Sequence, residues 1–193
     1  PGMVMMPQPM FDAVEGLALP PNSPVILLTP QGQTLSQTMA TELSKEDNLT
    51  FLCGRYDGVD ERITENLVTL ELSIGDYVLT GGEIPALVAI DTIVRLIPEA
   101  VGKGEEGIAD DTHTSGLVQY PQYTRPAHFR GLEVPSVLLS GNHEEVARWR
   151  RRESLFRTLM KRPDLLDWNT LSEKDRIELT TMGWVGPNIP ESD

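Results

Sequence analysis

SIGDYVLTGGE, at residues 73–83, and FLCGRYDGVDER, at residues 51–62, decide how this chain folds. Each is a short apolar run that stops at glycines and carboxylates, as a buried strand does when its carboxyl end must let another group approach the backbone. In open α/β sheets, ligands bind at the carboxyl ends of the strands. Two such ends in one short stretch therefore predict a binding site as well as a sheet.

A third segment of this kind, VILLTPQG, precedes them at residues 25–32. We predict strands at 25–29, 49–53 and 77–80, each followed by a glycine-containing turn and a helix. A further short strand is predicted at 68–72. This alternation is typical of an α/β domain with parallel strands.

The helix that follows Gly81-Gly82 is predicted to run from about residue 83 to 97. Its apolar spacing predicts one buried face, formed by Leu87, Ile90, Val94 and Ile97. From 98 to 119 the periodicity fails, and the sequence becomes polar, acidic and rich in glycine. We therefore predict a sheet domain at 1–102 and a flexible linker or lid at 103–119.

Residues 120–193 are predicted to form a small, all-helical domain. A strand at about 134–139 leads into a helix from about residue 144, with Ser140 or Asn142 as its cap. Pro163 is expected to start another helix, and 185–193 to form a frayed tail.

The composition excludes several classes of protein. The 193 residues carry a formal net charge of −13. No apolar run in the sequence approaches the roughly 20 residues that a helix needs to cross a bilayer. The single cysteine, Cys53, excludes an internal disulfide and suits a reducing cytoplasm, where we expect the protein to act. It lies in a predicted strand, so we expect an inert thiol. Paired cysteines and clustered histidines, which would indicate a zinc site, are absent from the sequence.

One segment reverses the acidic charge. Residues 143–163 contain seven arginines or lysines against three glutamates, a local charge of +4. Charge alone is equally consistent with a solvated helix face and with an anion-binding face.

The glycine-containing turns lack the motifs of nucleotide-binding loops. None matches G-x-x-x-x-G-K-[ST], TGGE differs in spacing from G-x-G-x-x-G, and the three turns contain no lysine. The residues therefore favour a neutral or zwitterionic ligand, held by backbone groups, over a nucleoside triphosphate. A phosphate-handling enzyme is disfavoured for the same reason.

The order of five blocks is more specific than any one of them. LLTPQG, FLCGRYDGVDER, SIGDYVLTGGEIPALVAIDTIVRLIP, YPQYTRP and VLLSGNHEEVARWR together resemble the TrmD family of bacterial tRNA (guanine-N1)-methyltransferases. The resemblance implies a SPOUT-type α/β domain with a deep trefoil knot, a helical C-terminal domain, and a homodimer with active sites at the subunit interface. PGMVMM resembles the end of a GGGPGM block, so we expect the family's opening segment to be missing.

The resemblance also implies a cofactor, S-adenosylmethionine, bound in the knot largely by main-chain groups. The positions that match are Leu27, Leu28, Thr29, Pro30, Gln31, Gly32, Gly54, Asp57, Ile74, Gly75, Tyr77, Leu79, Gly81, Gly82 and Pro85. Asp57 stands where the family commonly has glutamate. This difference leaves open how the methionine end of the cofactor, or a magnesium ion, is contacted.

Methylation of guanine N1 requires loss of the N1 proton and stabilisation of negative charge toward O6. By resemblance, Asp111 is the general base and Arg95 is the cation near O6. Without the resemblance, Asp111 reads as a solvated loop acid, and its neighbour Asp110 is the rival for the same role. The substrate is then tRNA, methylated at position 37 beside the anticodon.

The arginine-rich segment is expected to hold the anticodon arm through its phosphates. His143, Arg148, Arg150 and Arg151 are the substrate-binding residues that this reading predicts, and Trp149 is expected to anchor the helix in the core. Gln119 and Gln122 replace an acid and a histidine of the family, which puts substrate contacts in question. Two alternatives stay open: a SPOUT methyltransferase of another RNA site, and a truncated, inactive RNA- or cofactor-binding protein.

Overall fold

The computed structural model describes residues 3–100 and 111–186 and divides the chain into two compact units. Unit 1 is Pro1–Gly107 and unit 2 is Ile108–Asp193. The predicted linker at 103–119 falls partly on 101–110, outside the described residues. Its remainder, 111–119, belongs to unit 2 and packs within it: Leu117 is buried there, and the Val118 amide donates to Thr158 Oγ1 at 2.9 Å.

Unit 1 is an α/β unit built on a parallel sheet, as the alternation of segments predicts. Its elements are α1 (Pro7–Gly16), β1 (Val25–Thr34), α2 (Gln37–Leu43), β2 (Thr50–Cys53), α3 (Glu61–Asn66), β3 (Leu70–Ser73) and α4 (Glu83–Val94). The strand order is β2-β1-β3, and both pairs are parallel. The central strand is therefore the first of the three in the sequence.

The apolar run at the start of β1 is continuous because both faces of this strand are covered. Ile26 and Leu28 pack on one side, in a core shared with α2 and α4. Val25 and Leu27 pack on the other side, in a core shared with α1 and α3. Alternate residues of one strand thus supply two hydrophobic cores.

The register of β1 against β3 breaks where the apolar run ends. Leu28 and Gln33 both lie opposite Leu72, so residues 29–32 are not paired with β3. At the end of this bulge, Gly32 passes so close to β3 that a Cβ on it would collide with the backbone of Glu71 and Leu72. A glycine is required there because the obstacle is backbone.

Two expectations for the region around α4 are wrong. Residues 77–80 form no strand, because the segment turns back on itself: the Tyr77 amide donates to the Gly75 carbonyl at 2.9 Å. The face of α4 that packs on the sheet consists of Ala86, Ala89 and Ile93. The four apolar residues predicted to be buried, Leu87, Ile90, Val94 and Ile97, are 40–65% exposed. The helix is apolar on both sides, and its small alanines let it approach the sheet closely.

Unit 2 contains helices and one short hairpin, so the expectation of an all-helical segment is wrong in that detail. Its elements are β4 (His128–Phe129), β5 (Leu132–Glu133), 3-10 turns at Ser136–Leu139 and Pro163–Leu165, α5 (His143–Lys161) and α6 (Glu173–Thr181). The strand predicted at 134–139 is the first 3-10 turn. Asn142 is the cap of α5, and its side chain accepts the Glu145 amide at 3.3 Å.

The core of unit 2 is separate from the two cores of unit 1. It is formed by Leu117, Leu155, Leu171 and Leu179, with Trp184 packed against them. No helix among the described residues is both long enough and apolar enough to span a bilayer. The tail predicted at 185–193 lies mostly outside the described residues.

Gly32→Ala should lower the free energy of unfolding by about 1–3 kcal/mol, because its methyl group would collide with the backbone of β3. Urea denaturation measures the change. Gly16→Ala is the matched control: it ends α1, and nothing lies within 4 Å of its Cβ position. That variant should be unchanged or more stable by up to about 1 kcal/mol. Equal stabilities of the two variants would contradict the close passage of β1 over β3.

Candidate functional site

A cavity of about 430 Å³ lies at the carboxyl ends of the three strands of unit 1. Because β1, β2 and β3 are parallel neighbours, the segments that follow them meet at one edge of the sheet. The wall is formed by residues 27–31, 54–59, 72–75 and 77–82, together with Glu61, Thr64 and Pro85. We call it the strand-end cavity.

The structure brings nearly all of the predicted cofactor-binding residues to this cavity. Gly32 is the exception, because it lies against the backbone of β3. Those that line the cavity are Leu27, Leu28, Thr29, Pro30, Gln31, Gly54, Asp57, Ile74, Gly75, Tyr77, Leu79, Gly81, Gly82 and Pro85. They come from three separate parts of the sequence that only the parallel sheet joins.

The glycines before α4 bring the start of this helix against the end of β2. The Gly82 amide donates to the Gly54 carbonyl at 2.9 Å, and Gly81 forms a bridge with Arg55. A Cβ on Gly82 would lie 2.7 Å from Cys53 Cα. Gly82 is therefore required for a close backbone approach that fixes one wall of the cavity.

A second wall is held by hydrogen bonds within residues 73–77. The buried Ser73 hydroxyl accepts the Gly75 amide at 3.1 Å and donates to the Gly75 carbonyl at 3.0 Å. The Tyr77 hydroxyl donates to the Ile74 carbonyl at 3.1 Å, and its ring covers the side of Gly75 where a Cβ would be. This irregular segment is thus ordered by local contacts in place of a strand ladder.

The rim of the cavity carries three charged residues that the sequence reading did not assign, Arg55, Glu61 and Glu83. Arg55 Nε donates to Glu83 Oε1 at 2.8 Å, with both side chains about half exposed. The pKa of Glu83 is lowered, first by its own backbone amide and then by Arg55. Asp57 and Glu61 add negative charge to the lining. Arg55 and Tyr56 also line the cavity and directly precede Asp57 in the block FLCGRYDGVDER. Their position next to a predicted cofactor-binding residue was the sequence signal that could have identified them.

Cys53 lies beside this cavity at the end of β2. Burial raises the pKa of its thiol, and the nearby Glu83 carboxylate raises it further. The group is therefore a protonated thiol at neutral pH, which agrees with the expectation of an inert side chain. Among the described residues, no cluster of histidine, cysteine, aspartate or glutamate could hold a metal ion.

The two predicted catalytic residues lie outside the lining of this cavity. Arg95 is the exposed C-cap residue of α4, and its amide donates to the Asp91 carbonyl at 3.3 Å. Asp111 belongs to unit 2, where its carbonyl accepts the amides of Thr114 and Ser115. Asp110, its rival, lies outside the described residues. The roles given to Asp111 and Arg95 stay predictions.

The arginines of α5 differ in what they contact. Arg151 forms a two-point ion pair with Asp175 of α6, with Nε–Oδ1 at 2.9 Å and Nη2–Oδ2 at 2.8 Å. Arg150 lies over the ring of Tyr120, with its guanidinium carbon 4.8 Å from the centroid. His143 is the exposed first residue of the helix. Arg151 thus joins α5 to α6, a structural role that sequence reasoning did not predict.

The chain matches known proteins over most of its length. The family model tRNA (Guanine-1)-methyltransferase TrmD matches residues 1–168. The tRNA (guanine-N(1)-)-methyltransferase of Moorella thermoacetica is 57% identical over 180 residues, which cover 91% of this chain and 71% of the relative. Proteins with the same name from Oceanobacillus iheyensis and Geobacillus kaustophilus are 53% and 54% identical. Those matches cover 93% and 91% of this chain and 74% and 72% of the relatives.

The Arg151–Asp175 pair yields a pH-dependent prediction. Hydrogen bonding to Arg151 lowers the pKa of Asp175 from 3.8 to about 2, against the opposing effect of its burial. A lowered carboxyl pKa stabilises the folded state above pH 3.8, and this stabilisation is lost as the pH falls toward 2. Asp175→Asn should therefore cost about 2 kcal/mol at neutral pH, and the difference from wild type should shrink between pH 4 and 2.

Urea denaturation at a series of pH values measures this difference. Asp164→Asn is the control, since Asp164 pairs with Arg162 in an ion pair that is exposed on both sides. Exposed pairs contribute little, so this variant should follow the wild-type pH profile. A pH-independent effect of Asp175→Asn would show that packing, and not the ion pair, accounts for the loss.

Proposed function

This chain belongs to the TrmD family of tRNA (guanine-N1)-methyltransferases, and we propose that its strand-end cavity binds S-adenosylmethionine for transfer of a methyl group to N1 of guanosine 37 of tRNA. Family membership itself gives the enzyme class, tRNA (guanine-N1)-methyltransferase. The cofactor, the position in tRNA and the residues that carry the reaction are our proposals. The observation that carries them is the meeting of three separate sequence blocks around one cavity.

The lining of the cavity fits this cofactor. Its volume of about 430 Å³ lies within the range of pockets that enclose small ligands. The lining combines apolar side chains with glycines whose backbone groups can approach a flat ring, and it contains no lysine. Asp57 and Glu61 supply negative charge for the ammonium and sulfonium groups. When bound, the cofactor supplies an electrophilic methyl group.

Asp111 and Arg95 carry the proton and charge chemistry in this proposal. The Asp111 carboxylate would accept the proton from guanine N1 and so leave N1 an electron pair for the methyl group. The bound cofactor would supply that methyl group by cleavage of its methyl–sulfur bond, with the electron pair of that bond going to the sulfur. Arg95 holds the negative charge that develops toward O6, through a planar guanidinium with several donors. Neither residue lines the strand-end cavity of one unit, which is consistent with active sites assembled from two subunits. A requirement for magnesium is part of the same family expectation.

We further propose that unit 1 is a SPOUT-type knotted domain. The parallel sheet and the register break in β1 support it, as does the pairing of segments far apart in sequence. The Met5 amide donates to the Gly58 carbonyl at 2.9 Å, and the Asp60 amide donates to the Met5 carbonyl at 3.0 Å. The segment that follows β3 returns to β2 at Gly54.

The outward face of α4 supports the proposed homodimer. Ile84, Leu87, Ile90 and Val94 leave a row of apolar side chains at least 40% exposed on a helix whose other side packs on the sheet. Burial of apolar area contributes about 25 cal/mol per Å², so covering this row favours association. A second copy of the chain would cover this row with its own α4, so that the same surface of both subunits forms the interface.

The substrate is tRNA, and α5 is the element proposed to face it. The segment's positive charge lets an acidic protein attract phosphates locally, because association responds to the local field more than to net charge. His143, Arg148 and Arg150 stay candidates for this contact. We place the reaction in the cytoplasm, where unmodified tRNA is available.

Asp111→Asn should lower kcat for methylation by at least about 100-fold, because it removes the general base while keeping the shape of the side chain. Isothermal titration with S-adenosylmethionine should show a dissociation constant within about twofold of wild type. Labelled cofactor, unmodified tRNA and mapping of the methylated base provide the assay. Methylation by wild type at a base other than guanosine 37 would contradict the proposed site.

Asp110→Asn is the matched control for the base. It should retain most of the wild-type kcat, since only one of the two adjacent carboxylates accepts the proton. A large loss of kcat in Asp110→Asn with little loss in Asp111→Asn would identify Asp110 as the general base. Binding of the cofactor by wild type without any methyl transfer would favour the inactive alternative.

Leu87→Glu should weaken self-association more than about tenfold, because it places a charge on the apolar row of α4. Sedimentation equilibrium over a concentration series measures the dimer dissociation constant. Leu17→Glu, at an exposed apolar position after α1, is the control and should leave the dimer intact. A dimer that tolerates Leu87→Glu would assign the interface to another surface.

A further inference from the structure

Unit 2 contains a second cavity, which none of the roles above uses. It has a volume of about 720 Å³ and lies between α5, the start of α6 and the 3-10 turn at Ser136–Leu139. Arg148, Trp149 and Leu155 line it from α5, and Lys174 lines it from α6. We call it the α5–α6 cavity. Its volume is within the range of about 300–1,000 Å³ typical of small-ligand sites.

The cations around this cavity fall into two classes. Arg151 is paired with Asp175, and Arg152 Nε lies 2.9 Å from Glu178 Oε1. The side chains of Arg148 and Lys174, in contrast, form no ion pair or hydrogen bond with another residue in 3–100 or 111–186. Glu145 is the one lining carboxylate outside these pairs among the described residues. The uncompensated charge of the lining is therefore positive.

Trp149 does not have the anchoring role expected from sequence. The core of unit 2 is formed by leucines and Trp184, and Trp149 is not part of it. Trp149 is half-buried, and its ring centroid lies 6.3 Å from that of Tyr123 at an interplanar angle of 51°. The side chain lines the α5–α6 cavity, so an aromatic group stands beside the two unpaired cations.

An aromatic side chain beside unpaired cations is the combination that binds a single-stranded nucleotide. The base stacks on the ring, and the phosphate is attracted by lysine or arginine. We propose that the α5–α6 cavity binds one unstacked nucleotide of the RNA substrate, with its base on Trp149 and its phosphate between Arg148 and Lys174. This inference rests on the proposed function, because that function brings RNA to unit 2. It adds Lys174 and Trp149 to the RNA contacts and removes Arg151 from them.

Binding of unmodified tRNA to the full chain tests the stacking part of the proposal. Trp149→Leu should weaken binding about 5- to 150-fold, because stacking on one aromatic ring contributes about 1–3 kcal/mol. The salt dependence should stay the same, since no charge is removed. Trp149→Phe should restore most of the affinity because it keeps an aromatic ring. Phe156→Leu, on the same helix but outside the cavity lining, should bind as wild type.

The slope of log K against log salt concentration tests the phosphate part. Lys174→Gln and Arg148→Gln should each reduce this slope by about 0.7–0.9, the change expected for one phosphate contact. Lys45→Gln, a matched charge removal in unit 1, should leave the slope unchanged. In steady-state assays, Trp149→Leu, Lys174→Gln and Arg148→Gln should each raise the KM for tRNA. Their kcat and their KM for S-adenosylmethionine should equal those of wild type.

The outcomes separate this proposal from the proposed function. Wild-type protein that methylates tRNA, together with Trp149→Leu that binds tRNA like Phe156→Leu, overturns the nucleotide site and leaves the enzyme assignment intact. Failure of wild type to bind tRNA overturns both, whereas tRNA binding without methylation overturns the proposed function alone. Equal loss in Trp149→Leu and Trp149→Phe, with lower thermal stability in both, assigns Trp149 a structural role and overturns the stacking.

Discussion

The break in register between β1 and β3 is the constraint on which the rest of unit 1 depends. β1 is the central strand and is buried on both faces, so its position is fixed by two hydrophobic cores at once. Where its apolar run ends, residues 29–32 leave the ladder and Gly32 then passes over Glu71. Residues 29–31 of this unpaired stretch line the strand-end cavity. Position and shape of the cavity therefore follow from backbone packing more than from any single side chain.

The same packing links the cavity to the outer surface of the unit. Gly82 meets the backbone of β2 at Cys53, and this contact fixes where α4 begins. Ala86 and Ala89 then hold the helix close to the sheet, so the larger apolar residues of α4 point away from it. A wall of the proposed cofactor site and the row of apolar residues proposed for dimerisation are thus two sides of one short helix. A shift of α4 would change both, which gives a physical reason to expect the proposed cofactor site near the proposed dimer interface.

The sequence predicted the parallel α/β sheet, and three of its blocks proved to line one cavity. This part was accessible because apolar runs that end in glycine mark strand ends, and parallel strand ends meet. The buried face of α4 was not accessible, because the helix is apolar on both sides and its periodicity fits two faces equally well. Residues 77–80 have the composition of a strand, but Ser73, Gly75 and Tyr77 satisfy one another's hydrogen bonds locally. Composition does not report contacts of that kind.

Counting charges in 143–163 could not separate arginines that hold unit 2 together from arginines available to a ligand. Asp175, Glu178 and Asp164 neutralise Arg151, Arg152 and Arg162, and all three acids lie outside the segment whose charge was counted. The positive field that remains is carried by fewer groups, among them Arg148, and is joined by Lys174 from another helix. Arg151 and Arg152 link α5 to α6, and these two helices supply Arg148 and Lys174 to the lining of the α5–α6 cavity. The paired arginines of α5 thus help to position α6, the helix that supplies Lys174 to the proposed nucleotide site.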